Sequence, residues 1–583
     1  MNFRTKTKLS NIAIGFVDLV LLAFLIFDFG FRKFFELFEY KLVTLPLLML
    51  ALVGFNIYKL YAYKNYPTIY RNSKISLGVL ISLIVLEIIV VIENYGGSIS
   101  HAYLETRYVI EYGLGVYFFI RLTFLLRKIY GLYYNPAILF VGSFAIIAVS
   151  GAFLLMLPSA TKAGITFTDA LFTATSATAV TGLIVVDTAK DFTTVGQTII
   201  MVLMQIGGLG MLTFTSFFAY FFKSGSSFKE HLYMKDILGQ AKLSSVMRMV
   251  FQIVVFSVIL EIVGAILIYS SISDVKPVSD KAFFAVFHAI SAFCNAGFSL
   301  ASESIYDIRF RYNYSMQWVL MVLIVFGGLG YHIAYNVIQF LKRTVVNTFN
   351  KKRRTSVSRV INLNTKIVLI TTVILIFGGA FFFLISEANT NLAEHRTVFG
   401  KFTAAMFSSI TARTTGFSHV DMQAFTIPGL LVLIFLMWIG ASPASTGGGI
   451  KTSTFALATL NILALAGNKK HVEIGTRRIA PEAIQRAFAI MSISLACIGA
   501  GVLLLLIFNP EFTLMQIAFE AFSAFGTVGL SLGITPNLSE ESKYVVIFLM
   551  FFGRIGMLNL LFGIMKRLHK TDYAYPEENI LIN

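Results

Sequence analysis

Four short segments of this chain carry residue types that can hold a bare cation with backbone oxygen. They are Ser176-Ala-Thr-Ala-Val-Thr-Gly182-Leu, Ser291-Ala-Phe-Cys-Asn-Ala-Gly297-Phe, Ser409-Ile-Thr-Ala-Arg-Thr-Thr-Gly416-Phe and Ser523-Ala-Phe-Gly-Thr-Val-Gly529-Leu. Their glycines lie 115, 119 and 113 residues apart, and the third copy carries one extra residue after its serine. A loop whose carbonyls point at an axis replaces the hydration shell of a cation. Such a loop needs glycine where its backbone takes conformations that a Cβ forbids. Thr527-Val528-Gly529 spells the same three letters as the first half of the potassium-channel filter. The alternative is helix packing, since small residues are favoured where membrane helices touch. One segment alone would fit that reading; four at equal spacing favour a pore.

The elements that must carry these segments are membrane spans. Of 583 residues, 57% are hydrophobic and only 13% charged, and the mean hydropathy is +0.77; an ordinary soluble chain has about 25% charged residues. Uncharged runs at 136–157, 367–386 and 487–508 match the roughly 20 apolar residues of a bilayer span. Each repeated segment follows a long apolar run and a shorter, moderately apolar stretch (169–177, 280–293 and 513–525 among them), and precedes another long run. The short stretches suit pore helices whose dipoles bear on a central site. A loop at membrane depth survives only against protein or water. The expected fold is therefore all-α and integral to the membrane: four pseudo-repeats of span, pore half-helix, filter loop and span around one central pore.

Four more spans are expected at 12–29, 42–58, 76–92 and 108–126, so the chain divides into an N-terminal four-span module (1–130), pore repeats 1 (131–248), 2 (249–366) and 3 (367–486), and repeat 4 with a cytoplasmic tail (487–583). Asp18 and Asp28 interrupt the first span, which reads as a retained anchor and not as a cleaved signal. The front module reads as a packing, dimerisation or folding unit; a voltage sensor wants more charges than the single Arg121 inside its fourth span.

The net charge of +17 is banded. Segments 223–248, 342–366 and 466–486 hold five, eight and five Lys+Arg, whereas 509–542 has none. The positive-inside rule makes the basic loops and both termini cytoplasmic, in a multi-pass protein of the cytoplasmic (inner) membrane. The basic excess orients the chain and does not indicate nucleic acid. Lys351, Lys352, Arg353 and Arg354 read as a contact to lipid headgroups or to a cytosolic partner.

Residues 422–468 contain one charge, Lys451, and are too long for one straight span. In their middle lie Gly440, Ala441, Ser442, Pro443, Ala444, Ser445, Thr446, Gly447, Gly448 and Gly449, where proline and four glycines should break the helix. The break is either a kink between packed helices or an intramembrane loop below the filter. Arg554 interrupts the last span, about eleven residues or roughly 16 Å from either end. An arginine at depth is costly and takes a functional role by default.

With these motifs the sequence resembles the superfamily of potassium transporters that contains the bacterial TrkH and KtrB subunits and the plant and fungal HKT and Trk proteins. The resemblance covers about 136–570. It implies a selectivity filter built from main-chain carbonyls of Val180, Thr181 and Gly182, of Asn295, Ala296 and Gly297, of Thr414, Thr415 and Gly416, and of Thr527, Val528 and Gly529. It implies a gate loop at Gly440–Gly449 with Lys451, and a positive residue below the filter, Arg554, that opposes cation passage and touches the loop. In plant relatives a serine at the first-repeat glycine goes with sodium preference, so Gly182 implies potassium as the transported ion. The resemblance further implies a homodimer with one pore per subunit and a cytosolic nucleotide-binding ring of the TrkA or KtrA type.

No nucleotide site or nucleophile constellation appears, so ion passage without bond chemistry is expected and not catalysis. Gly207-Gly208-Leu-Gly210 and Gly327-Gly328-Leu-Gly330 fit no phosphate-loop spacing and read as close-packing sites inside spans. Potassium symport coupled to protons or sodium by alternating access, and a non-conducting accessory protein, are the rival functions; an acid chain through the spans would favour coupling. His288 reads as a buried, hydrogen-bonded histidine, and the roles of Glu261 and Glu520 stay open.

Overall fold

The computed structural model describes residues 136–210, 243–272, 280–349 and 361–556, apart from 444, 470 and 476, with scattered residues between 20 and 85. The four front spans fall mostly outside the described residues, as do the Lys351–Arg354 run and the tail.

The described chain is helical apart from a two-residue hairpin pairing Glu473–Ile474 with Arg477–Arg478. The first sequence repeat forms α1 (Pro136–Leu155), the short α2 (Phe167–Ala179) and α3 (Thr194–Leu209). The second forms α4 (Leu243–Ser271), α5 (Lys281–Cys294) and α6 (Tyr314–Leu329), continued by α7 (Tyr331–Phe349). The third forms α8 (Leu363–Ser386), α9 (Val398–Thr411), α10 (Ile427–Trp438) and α11 (Thr452–Ala466); the fourth forms α12 (Pro481–Phe508), α13 (Leu514–Gly526) and α14 (Glu540–Ile555). Phe251–Ser271, Leu363–Ser386 and Pro481–Phe508 are each long and apolar enough to cross a membrane.

The order long helix, short helix, loop, helix thus recurs, and packing joins successive units in a circle. Beyond contacts within each repeat, α3 lies on α5, α6 on α9, α10 on α13, and α14 on α2. A small residue makes each outer helix fit: Cβ atoms on Gly151, Gly264 and Gly501 would press into Leu203, Leu323 and Leu549, and one on Gly379 into Ser409 and Leu436. Close backbone approach at small residues is how membrane helices gain dispersion contacts, lipid being as apolar as leucine. The last and first repeats are also tied by Lys543 Nζ to Asp169 Oδ1 at 2.6 Å.

Gly207–Gly210 and Gly327–Gly330 pack closely, as expected, at the C-terminal ends of α3 and α6, with Gly210 and Gly330 at positive φ beyond them. One expectation changes: Arg554 stands in the last turn of α14, which stops at Ile555 before Gly556, and not in the middle of a helix.

Candidate ion pathway

Each short helix starts from a side-chain cap: Thr166 accepts from Asp169 N, Asp280 from Phe283 N, Thr397 from Gly400 N, and Thr513 forms a capping box with Gln516. Three of them end alike. Val180, Asn295 and Thr527 take left-handed backbone with φ of 57°, 62° and 51°. Their N–H groups bond Ala177, Ala292 and Ala524 O, and the next N–H groups bond Ser176, Ser291 and Ser523 O. These are Schellman ends carrying a side chain where glycine is usual. For Val180 and Thr527, both β-branched, that conformation costs about 1–2 kcal/mol each. Such strain collects at functional sites.

The helix-end serines hold the loops from behind. Ser176 Oγ donates to Leu183 O and accepts from Gly182 N, Ser291 Oγ donates to Phe298 O, and Ser523 Oγ accepts from Gly529 N. The third loop is built differently: its helix runs on through a right-handed Ala412, and Thr411 does what the serines do, donating to Phe417 O while its carbonyl takes Thr415 N and Gly416 N. Ser409, aligned by sequence with those serines, instead bonds Ile376 O. The extra residue is accommodated by this extension.

Gly182, Gly297, Gly416 and Gly529 have φ of +88°, +68°, +79° and +95°. A Cβ on each would strike the carbonyl oxygen of the next repeat: Ala296 for Gly182, Thr415 for Gly297, Val528 for Gly416 and Thr181 for Gly529. The four loops therefore meet edge to edge around one axis. On one side the glycines line a cavity of about 330 Å³ whose charged lining residues are Asp187, Glu303 and Asp421, a distribution that raises local cation concentration.

Residues between α10 and α11 lie against the other side. Ser442 N and Thr446 N donate to Gly328 O and Gly327 O, Gly449 N to Gly553 O, and Gly448 N to Thr527 Oγ1 at 3.0 Å. Thr446 Oγ1 donates to Phe293 O, and Gly447 abuts Thr414. Ile439 and Ile450 form a parallel bridge that closes the loop's base. Ala441 and Ser442 are buried, and Pro443 and Ser445 are partly exposed; Ala444 is outside the described residues. Lys451 Nζ donates to Gly447 O at 2.7 Å, and Arg554 donates to Thr446 O and to Gly207 O. The break therefore touches groups from the second, third and fourth repeats and is more than a kink between two helices.

Gly207 and Gly327, expected to pack closely, do so against particular carbonyls, whereas Gly553 and Arg413 escaped the sequence reading. Gly207, Gly327 and Gly553 would each drive a Cβ into the backbone carbonyl of Thr178, Phe293 or Phe525, two residues before Val180, Asn295 and Thr527. Gly210, Gly330 and Gly556 follow three residues later, all at positive φ. Aligning these motifs would have shown that Arg554 occupies the place of Gly208 and Gly328. His288, as expected, is buried and bonded, to Phe284 O and Ser299 Oγ. Glu520 accepts from Thr535 Oγ1, and Glu261 accepts from Gln205 Nε2 at 2.9 Å. Arg413, in the third motif itself, was passed over.

A family model described as TrkH, cation transport protein, matches residues 134–572. The chain belongs to the TrkH family. It is 38% identical over 440 residues to the Ktr system potassium uptake protein B of Vibrio alginolyticus, covering 75% of this chain and 93% of that protein. The Ktr system potassium uptake protein B of Bacillus subtilis is 35% identical, with 76% and 96% covered. The potassium/sodium uptake protein NtpJ of Enterococcus hirae is 32% identical, with 77% and 97% covered. The crystal structure of the potassium transporter TrkH from Vibrio parahaemolyticus aligns over 90% of this chain and 99% of that one, with a TM-score of 0.59 at 16% identity, a likeness of fold. TrkH-family membership makes this an integral membrane protein of cation transport and not an enzyme.

Proposed function

We propose that this chain takes up potassium across the cytoplasmic membrane along the axis between its four loops. The observation that carries the reading is the closed circle of glycine and carbonyl contacts through Gly182, Gly297, Gly416 and Gly529. In this reading the backbone of Val180 to Gly182, Asn295 to Gly297, Thr414 to Gly416 and Thr527 to Gly529 replaces the ion's water. The hydroxyls behind the loops hold them at that spacing, so the carbonyls pay no reorganisation when the ion arrives.

The loop Gly440–Gly449 is the gate, pinned by Lys451 and Arg554 across the inner mouth. It blocks by occupying the axis and by lining it with cationic side chains. Four pore repeats (131–248, 249–366, 367–486 and 487–583) follow a separate front module (1–130), with both termini cytoplasmic. The working form is a homodimer with one path per subunit. The word "system" in the names of the Ktr relatives supports a cytosolic partner, a nucleotide-binding ring of the TrkA or KtrA type that moves the gate.

The test is rubidium uptake into potassium-loaded proteoliposomes by the full chain and by a chain lacking several residues within 442–448. Faster uptake by the shortened protein supports the gate. Slower uptake at normal folding and normal oligomer content overturns it.

A further inference from the structure

A third cation, besides Arg554 and Lys451, reaches the carbonyls of this loop. Arg413, directly before Thr414 in the third pore loop, is 8% exposed and donates from Nη2 to Gly440 O at 3.2 Å. Among the described residues it forms no ion pair, and its Nε has no hydrogen-bond partner. Beside it is a cavity of about 20 Å³, lined also by Thr372, Asn295, Gly328 and Ala441. The Thr372 hydroxyl is likewise buried without a partner among the described atoms. Leaving a guanidinium buried without a counter-charge is strongly destabilising. Ionisable groups at this depth persist where they serve the pathway.

Geometry says how Arg413 serves it. Gly440 is seated against Gly448: a Cβ on Gly440 would strike the Gly448 carbonyl, and Ile439 and Ile450 are bridged one residue outside them. Gly448 in turn holds Thr527 through its N–H. A side chain that fixes the Gly440 carbonyl therefore fixes both strands of the loop's base beneath the fourth pore loop. Asn295, hydrogen-bonded to Thr414 Oγ1 at 2.6 Å, braces the third loop from which Arg413 projects.

We propose that Arg413 is a positioning residue of the gate, a latch on the loop's first strand. The closed loop is then held at two separate points by guanidiniums from different repeats, Arg413 on Gly440 and Arg554 on Thr446. The latch rests on the gate reading above.

The experiment measures rubidium uptake, the rubidium to sodium uptake ratio, and hydrogen–deuterium exchange of 439–451 for the full chain, R413Q, R413K and the loop deletion, all in lipid. R413Q is expected to raise basal uptake by about tenfold, equivalent to ~1.4 kcal/mol, and to speed exchange of 439–451 at an unchanged ion ratio. R413K, which keeps the charge but not the planar fork, falls between. If R413Q does not fold, R413K alone decides: raised uptake and exchange support the latch, wild-type values overturn it. A changed ion ratio with unchanged exchange makes Arg413 a support of the filter and overturns the latch. Wild-type behaviour of R413Q beside a faster loop deletion overturns the latch and leaves the gate standing. A deletion that does not raise uptake removes gate and latch together.

Discussion

Gly529 lies against the carbonyl oxygen of Thr181, so closely that no Cβ fits between them. The two residues are separated by most of the chain, and their contact joins the last pore loop to the first. It makes the four loops a closed ring, in which each carbonyl is set by a neighbour from another repeat.

Substituting any ring glycine should therefore damage the same property. Alanine at Gly182, Gly297, Gly416 or Gly529 combines left-handed strain with displacement of the facing carbonyl. Gly164 shares a φ of +88° but has open space around its Cβ position. Alanine there costs only the local strain of about 1–2 kcal/mol and should leave transport intact. Uptake per folded protein separates the two cases; equal effects at Gly164 and Gly529 would contradict the ring.

Neighbouring glycines in α8 make opposite forecasts for stability. A Cβ on Gly378 meets nothing, whereas one on Gly379 meets Ser409 and Leu436. Gly378→Ala should be neutral or stabilising by up to about 1 kcal/mol through helix propensity. Gly379→Ala should destabilise by about 1–3 kcal/mol through overpacking. Thermal unfolding in one detergent reads both.

Arg554 donates to the carbonyls of Thr446 and Gly207, and no acid pairs with it among the described residues. Arg554→Gln therefore orphans no buried carboxylate. A unit charge ~8 Å from the ion at an effective dielectric of about 20 repels it by roughly 2 kcal/mol, so neutralisation should raise flux by at most about thirtyfold. Arg554→Lys should stay near wild type. Loss of stability in both variants with no change in flux would place Arg554 away from the ion.

Outside the membrane helices, Arg309 donates to Asp307 from Nε and Nη2 and holds that carboxyl below its ordinary value of 3.8. A depressed value contributes stability above the unfolded value and loses it as pH falls through the folded one. Asp307→Asn should thus lower stability equally between pH 5 and pH 8, by less than about 1 kcal/mol given solvent screening. The difference should fade below about pH 4. Unfolding temperatures across that range check the sign.

Much of this was legible in sequence because it is periodic. The four glycine motifs, the short helices before them and the helix break at Gly440–Gly449 follow from spacing, Pro443 and glycine content. The handover from Ser409 to Thr411 was not legible, because it depends on a helix continuing through Ala412, which composition does not encode. For Gly207 and Gly327 close packing was expected but not the partner, and Gly553 was overlooked, because their role is an approach to a carbonyl distant in sequence. Arg554 looked central in its span because the apolar run continues past Ile555, whereas backbone geometry ends the helix at Gly556. Arg413 was visible as an arginine at depth, and the same rule that singled out Arg554 applied to it.

The most direct measurement is competitive uptake of rubidium and sodium into proteoliposomes by the wild-type chain and by Gly182→Ser. A serine Cβ at Gly182 must displace the Ala296 carbonyl, altering the ring that the ion contacts. The account predicts that the wild type prefers rubidium and that the variant shifts towards sodium by about tenfold, equivalent to ~1.4 kcal/mol. An unchanged ratio in a well-folded variant would contradict a potassium path through this ring.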